Sequence, residues 1–260
     1  MKRKTIFVTL LTIMTCSITS LHAQLTMGNT GLLHMPTADM QEDGTAMIGG
    51  NYLNQHTMPE YWTYNTYNYF LNITFLPWIE IAYTCHLLSF GEWGKNHTHY
   101  NNQDRAFSGR IRLIKEGKFW KYMPAILIGA YDPASGHDGG GDPIFNQSGE
   151  SHNYFAKYYI ASSKHFEYKN VGTFGGHLAY IYSRGTGNRF RGIAAGVNFQ
   201  PEFHKSLNLI AEYDAQTFNC GFQYDLLKYF VCTFELQKLK YISAGITLRM
   251  HLKKNKKTND

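Results

Sequence analysis

The feature that most constrains the fold is an alternation of apolar and polar residues that recurs from Gly44 to the end of the chain. The stretch 67–75, which reads YNYFLNITF, shows the pattern. Successive side chains of a β-strand point to opposite faces, so a period of two separates an apolar face from a polar one. Each stretch has roughly the length at which a tilted strand crosses a bilayer. The pattern therefore predicts membrane-crossing strands.

Counting these stretches gives about twelve strands. They lie approximately at 44–54, 64–75, 78–90, 105–115, 124–132, 153–165, 170–183, 191–200, 205–214, 216–225, 228–238 and 240–252. An even number brings both ends of a closed barrel to the same side of the membrane. A soluble β-sandwich rarely uses strands this long and uniform. The predicted fold is all-β: a transmembrane antiparallel up-and-down β-barrel over residues 44–252.

The connections between the strands support this fold. Over the first half of the chain, long connections such as 91–104 and 133–152 alternate with short ones such as 76–77. Outer-membrane barrels alternate long external loops with short periplasmic turns in this way. Aromatic residues lie beside the predicted turns, at Trp78, Trp120, Tyr122, Tyr229 and Phe230. Although aromatic residues favour strands in general, this position predicts an interfacial girdle.

The first 23 residues have the layout of a signal peptide. Lys2, Arg3 and Lys4 precede an apolar run over 6–14, and small and polar residues lead to Ala23. We expect cleavage after Ala23 and localisation in the outer membrane of a Gram-negative bacterium. Cys16 leaves acylation open as an alternative. Residues 24–43 then form an N-terminal segment that lies in the barrel mouth or projects into the periplasm.

The formal net charge of +6 is concentrated at the two ends of the chain. The signal peptide contributes three positive charges, and the basic tail over 253–260 contributes the other three. The body between them is neutral, which argues against a nucleic-acid partner. Cys85, Cys220 and Cys232 form no CxxC motif. Because they fall in the apolar register of their strands, we predict free thiols that face lipid.

The polar strand faces carry charged residues that a barrel would direct into its lumen. These lumen-facing candidates are Glu80, Arg110, Arg112, Lys157, His177, Glu212, Asp214, Glu235 and Arg249. They line a path for a sugar polymer in one interpretation. In the other, they pair with one another and fill a narrow interior, since unpaired charges in a confined lumen are costly.

An outer-membrane enzyme with His and Ser at the barrel rim is a rival hypothesis. His86 with Ser89, or His177 with Ser183, offers such a pair, but neither has a recognisable third member or a nucleophile elbow. We therefore expect no catalytic residues and no cofactor.

The stretch GHDGGGDPIFN, at 136–146, is a candidate metal loop because it combines His137, Asp138 and Asp142 with glycines. It lacks the alternating acidic ligands and closing Glu of a calcium loop. Three successive glycines also make a fixed ligand geometry entropically costly. We expect an external loop with no ordered metal site.

Several strands resemble the YjbH-like outer-membrane proteins associated with exopolysaccharide production. The resemblance lies in 125–132 (AILIGAYD), 158–164 (YYIASSK), 190–196 (FRGIAAG), 209–214 (LIAEYD) and the opening 31–38 (GLLHMPTA) with Asp43 and Gly44. This chain is far shorter than the large family members, so it would represent a single barrel domain. The resemblance carries no catalytic residues.

The resemblance implies a non-enzymatic barrel that serves exopolysaccharide or capsule production or export. The alternative is an adaptor barrel that anchors periplasmic proteins through its N-terminal segment. Expected partners are membrane lipids, exopolysaccharide and periplasmic envelope proteins.

Overall fold

The computed structural model describes residues 27–58, 64–89, 100, 102–133, 155–183, 191–227 and 229–253. They form a single closed barrel of twelve antiparallel strands, each hydrogen-bonded to its neighbours in sequence. Strands β1 and β12 close the barrel in a register that pairs Thr45 with His251. In these described residues, no helix has the length and apolar character needed to cross a bilayer.

The predicted all-β barrel of twelve strands is confirmed. The strands are β1 (Thr45–Leu53), β2 (Thr66–Phe75), β3 (Ile79–Leu88), β4 (Asn102–Ile114), β5 (Ala125–Tyr131), β6 (Lys157–Tyr168), β7 (Gly172–Ser183), β8 (Gly192–Pro201), β9 (Leu207–Tyr213), β10 (Phe218–Leu226), β11 (Phe230–Gln237) and β12 (Tyr241–His251). Two short 3-10 turns, Gln55–Thr57 and Glu202–His204, lie in connections. The largest boundary shifts are at β6, which starts at Lys157 instead of 153 and ends at Tyr168 instead of 165. Its pairing with β7 runs from Lys157 opposite Ser183 to Tyr168 opposite Gly172.

The two ends of the barrel differ in their connections. The turn end carries the connections 76–78, 169–171, 202–206 and 227–229, each of three to five residues, and the longer 115–124, together with the start of β1 and the end of β12. The loop end carries the other connections, which are long up to 184–191 and short after β9. The loop 136–146 lies outside the described residues. All five aromatic residues of the predicted girdle are solvent-exposed at the turn end.

The alternation in sequence becomes an alternation of faces in the barrel. In β2, every second residue from Thr66 to Thr74 is buried and every residue between them is exposed. The outward side chains are mostly apolar, with Leu71, Ile81 and Ile160 each between 42% and 55% exposed. The barrel therefore turns its apolar face outward and a largely polar face inward.

The lumen is occupied by the chain itself. Residues 27–43, which we call the finger, precede β1 and fold back inside the barrel, where most of them are buried. The finger carries apolar side chains into the interior, and Leu32, Leu33 and Met35 are each no more than 1% exposed. The hydrophobic core of this protein therefore lies inside the barrel and is shared between the finger and the wall.

Candidate functional site

The tip of the finger is a tight turn. Gly31 and Pro36 form an antiparallel bridge, and the Leu32 N–H donates to the Met35 carbonyl oxygen at 3.1 Å. Leu33 and His34 therefore stand at the end of the turn. Further back, Gly28 adopts a φ of +85°, and a Cβ there would lie 2.7 Å from the Phe70 Cβ. Only glycine tolerates both the positive φ and the close approach of Phe70 without strain.

The carboxylate of Glu212, on β9, binds the backbone of the tip. It accepts hydrogen bonds from the N–H groups of Leu33 at 2.9 Å, His34 at 2.7 Å and Met35 at 3.3 Å. A turn leaves such groups without partners in the chain, and a buried N–H without a partner is costly. Glu212 supplies the acceptors that the turn lacks.

A second carboxylate binds the finger from the opposite side of the barrel. Glu80, on β3, accepts from the Thr30 N–H at 2.8 Å and from its hydroxyl at 2.6 Å. The amide of Asn72 also donates to Glu80, at 2.9 Å. Arg110 lies 3.8 Å from Glu80 and donates to the carbonyl oxygens of Thr37, at 2.9 Å, and Asp39. Glu80 and Arg110 thus bind backbone groups of the finger on both sides of its tip.

His34 makes the one charged contact of the tip that involves a finger side chain. Its Nε2 meets a carboxylate oxygen of Glu235, on β11. Burial alone would lower the pKa of His34, but the contact with Glu235, supported by Glu212 and Asp214, raises it to about 9. His34 is therefore positively charged at neutral pH and is bound among three acidic side chains.

The inner surface over β5 to β8, which we call the apolar wall, is mostly hydrophobic. Its buried side chains include Ala125, Leu127, Tyr131, Ala161, Ala179 and Ile181. Leu32, Leu33 and Met35 of the finger belong to the same cluster. A Cβ on Gly196 of β8 would lie 2.5 Å from the Leu32 Cδ1, so a glycine there lets the finger approach the wall closely.

The inner surface over β10 to β12 and β1 to β3, which we call the polar wall, is mostly uncharged and hydrophilic. Its buried side chains include Asn51, Asn68, Asn72, Thr74, Thr84, Asn219, Gln237, Ser243 and Thr247. Asn72 Oδ1, Thr74 Oγ1 and Gln237 Oε1 are buried without a hydrogen-bond partner within the described protein. Such atoms call for water or for a hydroxyl-bearing ligand.

The structure places the nine predicted lumen residues on the inner face, with different degrees of burial. Glu80, Arg110, Lys157, His177, Glu212, Asp214 and Glu235 are buried, whereas Arg112 and Arg249 are half-buried. Arg249 pairs with Asp225 at 2.7 Å near the turn end. Asp214 accepts from the N–H groups of Gln216 at 3.0 Å and Thr217 at 2.8 Å, so it stabilises the turn into β10.

Sequence reasoning did not identify the main partner of these charges. Glu80, Arg110 and Glu212 bind the finger backbone, and the finger has no strand periodicity that would reveal its position. The only signal was that 27–43 combines apolar residues with Gly and Pro directly before the first strand.

The histidine and serine pairs of the enzyme hypothesis have other contacts. The His86 ring stacks on Phe155 with 4.3 Å between ring centroids. His177 uses Nδ1 towards Ser163 and Nε2 towards Asn198, both at 2.8 Å. Ser183 donates instead to the Ala156 carbonyl oxygen at 2.9 Å. The three cysteines in the described chain are free, with Cys85 buried and Cys220 and Cys232 half-buried.

Comparison with protein families identifies a match. A family model named YjbH, described as "Exopolysaccharide biosynthesis protein YbjH", matches residues 23–260. No curated protein matches the chain. The match covers the finger and all twelve strands.

Proposed function

Because the chain belongs to the YjbH family of exopolysaccharide biosynthesis proteins, we propose that it is a non-enzymatic outer-membrane barrel whose finger closes a sugar-conducting lumen. The observation that carries this proposal is the way the finger is bound. Glu80 and Glu212 accept hydrogen bonds from N–H and hydroxyl groups of the finger. Sugar hydroxyls donate hydrogen bonds of the same kind, so a polysaccharide can replace the finger on the same carboxylates.

The outer surface supports a membrane location. Its apolar band, with exposed Trp78, Trp120 and Tyr122 at the turn end, has the composition of a lipid-facing barrel surface with an interfacial girdle. The turn end would then face the periplasm and the loop end the exterior. Fractionation tests this location: the mature protein, starting at Gln24, should appear in the outer membrane. Recovery in the soluble periplasm would contradict it.

The polar wall supports a sugar ligand. Its amides and hydroxyls, including the buried Asn72 Oδ1 and Gln237 Oε1, suit a polymer that is rich in hydroxyl groups and poor in apolar surface. A neutral inner lining of this kind binds weakly enough at each site for a chain to move along it.

An adaptor barrel is the second candidate, and the apolar wall favours it. Leu32, Leu33 and Met35 are fully buried in a common cluster with the wall, as expected of a permanent core. In this case the lumen stays closed, and the barrel serves polysaccharide production by anchoring periplasmic envelope proteins.

A disulfide lock between finger and wall separates the two candidates. A Cβ on Gly196 would lie 2.5 Å from the Leu32 Cδ1, so the two positions are direct neighbours between finger and wall, as a disulfide between them requires. The Leu32→Cys/Gly196→Cys variant should form this bond in an oxidising periplasm. A conduit should then lose exported polysaccharide and recover it when a membrane-permeant reductant is added.

The Leu32→Cys variant alone controls for the loss of the leucine side chain. Normal export from cells in which the disulfide is fully formed would contradict the conduit and support the adaptor. Insertion of each variant is checked by its heat-modifiable migration on gels.

We also propose that the barrel performs no chemistry of its own. The His177 ring nitrogens engage Ser163 and Asn198 and the Ser183 hydroxyl donates to the Ala156 carbonyl oxygen, so His177 and Ser183 are not paired with each other for catalysis. A serine-reactive probe should leave the purified protein unlabelled, and stoichiometric labelling of one serine would contradict this proposal.

A further inference from the structure

We propose that Asp39 of the finger and two wall histidines, His165 and His177, bind a divalent transition-metal ion that fastens the finger to the barrel. Asp39 lies in the part of the finger that follows the tip and leads towards the turn end. His165 on β6 and His177 on β7 both point inward from adjacent strands. Their ligand atoms all lie within 4.8 Å of one another. This inference does not depend on whether the lumen conducts sugar.

The spacing of the three ligand atoms is close to what a metal requires. Asp39 Oδ2 lies 3.7 Å from His165 Nε2 and 3.8 Å from His177 Nδ1. Bonds of about 2.0–2.1 Å in a tetrahedron place neighbouring ligands roughly 3.3–3.4 Å apart. Each carboxylate-to-imidazole distance therefore needs to close by only a few tenths of an ångström, and the two imidazole nitrogens, which are within 4.8 Å of each other, by at most about 1.5 Å.

His165 has the second partner that a metal-binding histidine usually has. Its Nδ1 lies 2.8 Å from Glu116 Oε2, and the backbone N–H of His165 donates to Glu116 Oε1 at 3.0 Å. A carboxylate on one ring nitrogen fixes the proton there and directs the other nitrogen to the ion. Glu116 stands in the turn after β4, where Gly117 adopts a φ of +70°. The turn thus brings the carboxylate back over β6.

His177 is oriented by a chain of amides. Asn198 donates through Nδ2 to Asn208 at 2.8 Å, which leaves its Oδ1 to accept from His177 Nε2 at 2.8 Å. The proton of the ring therefore lies on Nε2, and the Nδ1 lone pair accepts from the Ser163 hydroxyl, which an ion between His177 and Asp39 would displace. The Ser163 hydroxyl, 2.8 Å from Nδ1, also accepts the Ala38 N–H at 2.8 Å.

A glycine leaves room for both imidazoles. Gly175 pairs with His165 in the register and precedes His177 by two residues. A Cβ there would lie 2.8 Å from His177 Nε2, 3.0 Å from His165 Cδ2 and 2.0 Å from Asn198 Oδ1. Any side chain at this position would displace the two rings and the amide that orients them.

The ligand set defines the class of ion. Two imidazoles and one carboxylate suit zinc and its first-row neighbours, whereas calcium and magnesium prefer oxygen ligands alone. Three protein ligands leave one position for water. Because Asp39 belongs to the finger and both histidines to the wall, the ion would tie the finger to β6 and β7.

The test uses the untagged full-length protein in detergent, stripped with a chelator and then titrated with zinc. The folded wild type should retain one equivalent of zinc after desalting, and cobalt should give the visible absorption of a four-coordinate site. His165→Gln and Asp39→Asn should each weaken binding at least tenfold. His204→Gln, which changes an exposed histidine at the turn end, is the matched control and should bind like the wild type.

Two results would overturn the proposal. One is a folded wild type that retains no stoichiometric zinc, which would reduce the cluster to polar contacts between Asp39 and the two histidines. The other is undiminished binding in a His165→Gln/His177→Gln variant, which would place the ion elsewhere. The wild-type result does not depend on whether any variant folds.

Discussion

The apolar wall and the polar wall enclose the same lumen but serve different purposes. On the apolar wall, Leu127 and Ile181 have no exposed surface and pack in one cluster with the finger. On the polar wall, Asn72 and Thr74 are equally buried, yet each has an atom without a hydrogen-bond partner in the described protein. Burial therefore has a different main effect on the two sides: on the first it encloses apolar side chains that stabilise the fold, and on the second it encloses hydrogen-bonding groups that suit water or a hydroxyl-bearing ligand.

The finger connects the two walls. Its side chains satisfy the apolar wall, and its backbone is bound by carboxylates from β3 and β9. If stability resides in the finger and the apolar wall, substitutions there should cost more stability than substitutions on the polar wall.

Replacing Glu212 by Ala should have the largest effect. The change removes the acceptor of three buried N–H groups at the finger tip and should cost about 3–5 kcal/mol, as loss of a buried charged partner does. Urea unfolding in detergent micelles measures the cost, and hydrogen exchange at residues 33–35 reports release of the tip. Glu202→Ala, on the exposed surface at the turn end, is the control. Equal losses of unfolding free energy in the two variants would show that Glu212 does not stabilise the finger tip.

Leu127→Ala should destabilise the apolar wall by roughly 2–5 kcal/mol, because it opens a cavity beneath the finger. Leu113→Ala removes the same atoms from an outward side chain that is 51% exposed and should cost much less in micelles. The same unfolding measurement compares the two variants. A larger loss for Leu113→Ala would show that the core does not lie inside the barrel.

Raising the pH should loosen the finger. Since the pKa of His34 is raised from 6.5 to about 9, its contribution is fully present below pH 6.5 and is lost as the pH rises through 9. The loss should reach about 3 kcal/mol at most. Unfolding free energies between pH 6 and 10 measure it. In the His34→Gln variant the unfolding free energy should no longer fall between pH 6.5 and 9. An unchanged pH dependence would assign the fall to other titrating groups.

The smallest effect should come from Thr74→Val on the polar wall. The Thr74 hydroxyl has no hydrogen-bond partner in the described protein, so its loss should change stability by less than about 0.5 kcal/mol. Thr84→Val is the matched comparison, because the Thr84 hydroxyl donates to the Met27 carbonyl oxygen at 2.7 Å. That change should cost about 1 kcal/mol. A large loss at Thr74 would mean that the polar wall also contributes to the fold.

The barrel was predictable from sequence because its signal is local. In β2 the inward residues are polar apart from Phe70, and burial alternates without exception from Thr66 to Phe75. The inward positions of Glu80 and Glu212 followed from the same register. Boundaries were less certain, since β6 runs to Tyr168 only because β7 offers partners that far.

The contacts of the finger were not predictable in this way. Leu33 and Glu212 are separated by most of the chain, and their hydrogen bond joins a backbone group to a side chain. No periodicity marks such a contact. The cluster of Asp39, His165 and His177 was missed for the same reason, because its three ligands come from the finger and from two strands with no shared motif.

The position of the finger also constrains how the barrel is made. The seam between β1 and β12 joins the two ends of the chain, with Thr45 opposite His251, so it closes only when the last strand is present. The finger is continuous with β1 and is enclosed by that seam, where the Leu252 N–H donates to the Gly44 carbonyl oxygen at 2.7 Å. Closure and packing of the interior are therefore one event late in assembly. A chain that stops before β12 would leave the edge of β1 unpaired and the finger without the seam that encloses it.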